Sequence, residues 1–218
     1  MAEINLLSRY PRSKRNISVR AQAQSPENVA LSREYGRAYF DGTRDTGYGG
    51  YRYDGRWVPI AEDMVRHFDL KPGQRVLDVG AAKGFLVKDL IKVCPGLEAF
   101  GLDISEYAVM NCEPEVIGRL HLGDCRKLPF PDGSFDAVIA INVVHNVDRD
   151  ECVQAIREVQ RVSRGRAYIQ VDSYRTPAER ELFLSWVLTA CTHYYPDGWK
   201  ELFAEAGYTG DYYWTIVE

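Results

Sequence analysis

The stretch RVLDVGAAKGFLVKDL, residues 75–90, constrains the fold more than any other part of the chain. Its first five residues are apolar enough for a strand buried on both faces. A turn of mostly small residues, GAAKG, then breaks the strand, and FLVKDL restarts at helical spacing. A strand that feeds a helix through a glycine turn is the opening unit of a parallel sheet covered by helices, and such sheets bind ligands beyond the carboxyl ends of their strands. Gly80 and Gly84 flank Ala81, Ala82 and Lys83, so backbone there is open to close approach by a ligand.

The remainder repeats the alternation. Strands are expected at 75–79, 98–103, 120–123, 135–142 and 166–172, with a helix over 58–70 that stops at KPG. Near-continuous apolar runs such as FDAVIAI fit a sheet with both faces covered. Two further helices are expected in TPAERELFLSWVLTA and YPDGWKELFAEAGY, the second ending on Gly207, and YTGDYYWTIVE is expected to close the chain as an antiparallel edge strand. The expected fold is therefore α/β, a Rossmann-like, doubly wound, mostly parallel sheet of seven strands, with the remaining strand sought within 186–194. Residues 1–57 are read as an N-terminal arm and lid, and 58–218 as the main domain.

Two parts of the N-terminal region stand out. RYPRSKRNISVR is basic, lacks hydrophobic periodicity and reads as a solvated arm. DGTRDTGYGGYRYDGRW is too rich in glycine for a helix and too aromatic for an ordinary loop. Tyr48, Tyr51, Tyr53 and Arg52 in this segment suit stacking on, and forked hydrogen bonding to, a polar acceptor, and the glycines would let it close over a ligand. Packing over the sheet is the competing reading of the same aromatics.

Bulk properties narrow the partners. A net charge of -4 argues against binding nucleic acid through a general positive field, which leaves a small polar metabolite as the expected partner. Five cysteines, Cys94, Cys112, Cys125, Cys152 and Cys191, form no C-x-x-C pair and are odd in number, as expected of a reducing cytoplasm. No apolar leader and no run of 18 apolar residues is visible, so no membrane is expected. Nothing in the sequence sets the oligomeric state.

The turn fits neither G-x-G-x-x-G nor G-x-x-x-x-G-K-[ST]. Asp103 closes the second strand nineteen residues beyond Gly84, where a carboxylate can accept both hydroxyls of a ribose, and Asp124 follows the third. Together LDVGAAKG, GLDIS, GDCRKLPFPDGSFD and AINVVHNV resemble the ordered motifs of the class I S-adenosylmethionine-dependent methyltransferases, over roughly residues 58–172. The tyrosine-rich segment and the C-terminal GYTGDYYWTIVE resemble, more weakly, small bacterial methyltransferases of sugar and secondary metabolism.

That resemblance implies S-adenosyl-L-methionine as cofactor, S-adenosyl-L-homocysteine as product and no metal. It places the methionine part on Asp78, Gly80, Ala81, Ala82 and Gly84, the ribose on Asp103 beside Ile104, the adenine on Asp124 and Cys125, and the sulfonium beside Asn142. Ala82 stands where the family commonly has glycine. The expected reaction is methyl transfer to an oxygen, or alternatively a nitrogen, of a small polar metabolite, with a sugar as first choice. Candidate bases at the rim are His145, Asp172 and His193, and Tyr174 and Arg175 are candidate acceptor contacts. A nucleotide-dependent oxidoreductase and a non-catalytic cofactor binder are the rival classes.

Overall fold

A computed structural model describes residues 1–11 and 24–217. Six strands form one sheet: β1 (Arg75–Val79), β2 (Glu98–Asp103), β3 (Leu120–Leu122), β4 (Ala137–Ile141), β5 (Ala167–Asp172) and β6 (Asp211–Thr215). Their order is β3-β2-β1-β4-β5-β6, and every neighbouring pair is parallel. The strand order reverses between β1 and β4, which makes the crevice beyond their carboxyl ends the natural ligand position.

The helices in chain order are α1 (Pro26–Arg33), α2 (Arg37–Asp41), α3 (Val58–His67), α4 (Phe85–Val93), α5 (Glu106–Met110), α6 (Arg149–Val162), α7 (Pro177–Trp186) and α8 (Pro196–Ala206). Alternating side chains on each strand enter two cores. Val76, Ala137, Ile139 and Tyr168 face α3 and α4 with Ile60, Met64 and Leu90. Leu77, Val79, Val138, Ala140, Ile169 and Val171 face α6 and α8 with Ile156, Val159, Trp199 and Phe203. Burial on both faces is why these strands read as continuous apolar runs rather than alternating ones.

Three expectations are corrected. The sheet has six described strands, not seven. β6 pairs with β5 in parallel, Tyr168 opposite Asp211 through Asp172 opposite Thr215, because α8 returns the chain to the starting edge before β6 begins. The stretch 186–194 forms no strand, only a single bridge between Ser173 and Tyr194.

The first residues are not a solvated arm. Glu3 forms a parallel bridge to Tyr212, with Ile4 N donating to the Tyr212 carbonyl at 2.9 Å and Tyr212 N to that of Ala2 at 3.0 Å. Leu6 is buried in the α3–α4 core, and Tyr10 meets Trp57 edge to face at 5.0 Å. Arg12 to Arg20, the rest of the basic stretch, lie outside the described residues. No helix among the described residues is long and apolar enough to cross a membrane.

Candidate active site

The turn after β1 is built for close approach. Gly80 and Gly84 adopt left-handed backbone, φ 77° and 79°, and a Cβ on Gly80 would stand 2.7 Å from Cβ of Val143. Ala82 is also left-handed at φ 51°, a conformation that favours glycine, and Asp103 steadies it by accepting the Ala82 N–H at 2.7 Å. The other Asp103 oxygen takes the Ser105 N–H at 2.8 Å, so this carboxylate fixes both the turn and the start of α5. Burial pushes its pKa up, and the backbone N–H groups partly offset that rise.

Asp78, at 5 % exposure, is the other carboxylate of the turn. It accepts no hydrogen bond from the described residues, and burial together with neighbouring Asp103 pushes its pKa well above the carboxylate range. An ammonium group beside it would relieve both penalties.

Two cavities open here. A smaller one, about 100 Å³, is lined by Asp103, Ile104, Asp124, Cys125, Asn146 and the aromatic side chains Tyr35, Tyr39, Phe40 and Tyr48. A larger one, about 640 Å³, is lined by Asp78, Ala81, Tyr10, Tyr51, Trp57, Gln170, Arg175, Tyr213 and Thr215, among others. Tyr48, Gly80, Ala82, Ile141 and Asn142 line both, so the cavities meet over the turn and the end of β4.

Tyr35, Tyr39, Phe40, Tyr48 and Tyr51 are the residues of the N-terminal segment that line these cavities. Tyr51 stacks on Phe85 with centroids 4.5 Å apart and planes 9° apart. Asp41 accepts from Lys83 Nζ at 2.6 Å, from Tyr107 Oη at 2.7 Å and from Tyr51 N at 3.1 Å, which ties the N-terminal segment to the turn after β1. A polar chain runs from β5 through β6 to the residue after β4: Tyr168 Oη donates to Gln170 Oε1, Gln170 Nε2 to Thr215 Oγ1, and Thr215 Oγ1 to Asn142 Oδ1, each at 2.9 Å. Asn142 is left-handed, φ 53°, as its residue type tolerates.

The structure thus gathers Asp78, Gly80, Ala81, Ala82, Asp103, Ile104, Asp124, Cys125 and Asn142 around the two cavities, together with Tyr48, Tyr51 and Arg175. Gly84 lies at the start of α4, behind the cavity walls. Other expected site residues lie elsewhere. Arg52 is exposed and lines neither cavity. Tyr53 donates to Asp89 at 2.6 Å, and Tyr174 is buried against Phe183 with its hydroxyl 3.0 Å from His193 Nδ1. Neither His193 nor Asp172 is among the described residues lining these two cavities.

His145 is 1 % exposed and also lines neither cavity. Its Nδ1 accepts the Asp172 N–H at 3.1 Å, its Nε2 lies 3.5 Å from the Asp172 carboxylate, and its carbonyl accepts from Cys191 N and Thr192 N. It clamps the end of β5 to the loops after β4 and α7. Burial pushes its pKa down, partly opposed by Asp172. A histidine held neutral in the fold binds fewer protons than in the unfolded chain, so its contribution to stability is present above about pH 6.5 and is lost as pH falls. Unfolding at pH 7.5 and 5.5 should show wild type losing more stability on acidification than His145→Asn, by up to about 1.4 kcal/mol per pH unit below 6.5. Parallel pH profiles for the two proteins would contradict this placement.

Several lining residues carried no legible signal. Asn5, Leu7 and Tyr10 come from the expected arm, and Tyr213 and Thr215 from a strand expected to be antiparallel. Gln170, a polar residue in the apolar strand AYIQVD, was visible as an anomaly and is the one such residue that the sequence could have flagged.

A parallel sheet with a glycine turn after β1 and an acidic residue ending β2 defines a nucleotide-cofactor domain of Rossmann type. Residues 77–171 match the family described as Methyltransferase domain. The chain is 36% identical over 104 residues to the sterol 24-C-methyltransferase ERG6B of Gibberella zeae, covering 44% of this chain and 27% of that protein. It is 28% identical over 133 residues to the ubiquinone/menaquinone biosynthesis C-methyltransferase UbiE of Geotalea uraniireducens, covering 57% of this chain and 54% of that protein. The chain therefore spans about half the length, or less, of these two curated relatives. A SAM-dependent methyltransferase from Archaeoglobus fulgidus shares the fold at TM-score 0.54 and 20% identity, over 78% of this chain and 72% of that one. Over residues 77–171 the chain is thus similar to methyltransferase domains, and S-adenosyl-L-methionine is the cofactor that this similarity implies.

Proposed function

We propose that this chain moves a methyl group from S-adenosyl-L-methionine to an oxygen of a small polar acceptor held in the larger cavity. The observation that carries the reading is the meeting of the two cavities over Gly80, Ala82, Ile141 and Asn142, which would place cofactor and acceptor side by side. The residues fit the cofactor: Asp78 offers an unpartnered carboxyl to its ammonium, the turn offers open backbone, and Asp103 offers acceptors to its ribose. When bound, the cofactor supplies an electrophilic methyl group on a sulfonium.

The chain's own work is then binding, orientation and exclusion of water. Holding a nucleophile in line with the methyl carbon is worth effective molarities on the order of 10⁵ M or more. Asp41, Lys83 and Tyr107 hold the N-terminal segment to the turn after β1, and the Gln170–Thr215–Asn142 chain fixes the residue after β4.

The acceptor wall determines which oxygens are plausible. Among the described residues lining the larger cavity there is no histidine, cysteine or glutamate, and the one carboxylate, Asp78, lies at the cofactor turn. A sugar hydroxyl needs a positioned base, so the lining favours an oxygen that is already acidic, as in a phenol, an enol or a carboxylic acid. Arg175, the one cation among the described lining residues, makes no ion pair with a described residue and suits an acidic acceptor. Transfer to an activated carbon is the second reading, favoured by the two relatives named as C-methyltransferases.

The test is transfer of radiolabelled methyl to a panel of a phenolic acid, a quinol, a hydroxylated sugar and a primary amine. Label on the phenolic acid oxygen is expected. Label confined to the sugar or the amine, or no transfer despite cofactor binding, would count against the reading.

A further inference from the structure

Among the described residues only three buried side-chain polar atoms lack a hydrogen-bond partner: Tyr35 Oη, Asn146 Oδ1 and Asp89 Oδ2. Such atoms are uncommon in folded proteins, and each costs stability unless something fills the vacancy. Two of the three, Tyr35 and Asn146, line the same small cavity, although they are 111 residues apart in the chain.

Both are held in place. Asn146 Nδ2 donates to the Asn142 carbonyl at 3.2 Å, which leaves Oδ1 as the free, acceptor-only end of the amide. Tyr35 is pinned by its own carbonyl, which accepts from Ser105 Oγ beside Asp103, and its ring packs edge to face on Tyr39 at 5.4 Å. The family resemblance puts the adenine against Asp124, but that carboxylate is already engaged. Arg126 covers both of its oxygens through its backbone N–H at 2.8 Å and its Nε at 3.0 and 2.9 Å, and Glu151 accepts from the far side of the guanidinium. Four lone-pair sites shared among these donors leave Asp124 little capacity to accept from a ligand.

We infer that Asn146 and Tyr35 read the hydrogen-bonding edge of the cofactor's adenine, Asn146 Oδ1 accepting from the exocyclic amine and Tyr35 Oη donating to a ring nitrogen. The complement is chemical. Adenine presents a donor amine beside acceptor ring nitrogens, and the cavity holds one unsatisfied acceptor and one unsatisfied hydroxyl between apolar walls from Leu102 and Val143. The pair would select adenine over hypoxanthine, in which a carbonyl oxygen replaces the amine and would face the Asn146 oxygen. A site built to hydrogen-bond a group rejects an analogue lacking it strongly, because its own polar atoms are left unpaired. The assignment rests on S-adenosylmethionine being the cofactor.

The test is calorimetric titration of the purified chain with S-adenosylhomocysteine and with S-inosylhomocysteine, for wild type, Tyr35→Phe and Asn146→Leu, with thermal unfolding recorded for each. Wild type should prefer the adenosyl ligand by about 10-fold or more. Each variant should lose affinity for the adenosyl ligand about 5- to 20-fold and lose most of the preference, while the inosyl ligand changes little. Tyr35→Phe keeps the shape of the ring, so it remains informative if Asn146→Leu unfolds. Adenosyl affinity unchanged in folded Tyr35→Phe, or equal loss for both ligands, would overturn the inference. Wild type that binds neither ligand would overturn the cofactor reading as well, and that outcome is distinguishable from the other two.

Discussion

Replacing Asp103 with alanine is expected to weaken S-adenosylhomocysteine binding by about 1.5 to 3 kcal/mol, roughly 10- to 150-fold, through loss of a charge-assisted contact to the ribose. The structure adds a second route to the same loss. The carboxylate accepts the N–H groups of Ala82 and Ser105, so its removal frees the left-handed Ala82 in the middle of the cofactor turn. Asp103→Asn keeps one carbonyl oxygen and should fall between wild type and Asp103→Ala. Calorimetry gives the affinities and thermal unfolding separates local loss from collapse of the fold. Unchanged affinity in a folded Asp103→Ala protein would mean that the ribose lies elsewhere.

The largest effect on stability is expected at Trp199. The side chain is fully buried in the α6–α8 core, stacks near Phe203 with centroids 6.0 Å apart, and its Nε1 donates to the Asp172 carbonyl at 3.0 Å. Trp199→Ala removes that volume from a core that cannot fully collapse, at a cost of about 3–5 kcal/mol. Trp199→Phe retains most of the packing but leaves a buried carbonyl without that donor, at about 1–3 kcal/mol. Urea unfolding measures both. A loss below about 1 kcal/mol for Trp199→Ala would contradict the packing described for β5 and α8.

Strands β1, β4 and β5 were legible because each is a near-continuous apolar run buried on both faces, and β1 leads into a helix at ordinary spacing, as in RVLDV followed by FLVKDL. The turn after β1 was legible for a different reason: Gly80 and Gly84 are the residue type that left-handed backbone favours, and their spacing is local. The direction of β6 was not legible, since DYYWT has the same residue pattern whether it runs parallel or antiparallel to its neighbour. Nor was the placement of residues 1–10. The bridge of Glu3 to Tyr212 spans two hundred residues, and Leu6 is buried in a core built from distant elements, contacts which an aperiodic stretch does not announce.

The rim residues show the same division. His145 and Asp172 follow strands, where functional groups of such sheets stand, yet both turn inward and meet each other, because the Asp172 N–H needs an acceptor that Nδ1 of His145 supplies. Tyr35 and Asn146 are not marked as site residues by the aromatic segment and the AINVVHNV motif in which they stand. Their importance depends on an unsatisfied hydrogen bond, a property that exists only once the chain is folded.

The central claim is that the two cavities over the β1 turn form an S-adenosylmethionine site. The most direct measurement is calorimetric titration of the wild-type chain with S-adenosylhomocysteine, beside the oxidised and reduced nicotinamide dinucleotides. Saturable one-to-one binding of S-adenosylhomocysteine, with no heat from either nicotinamide, is the predicted result. Binding of a nicotinamide in its place, or of none of the three, would contradict it.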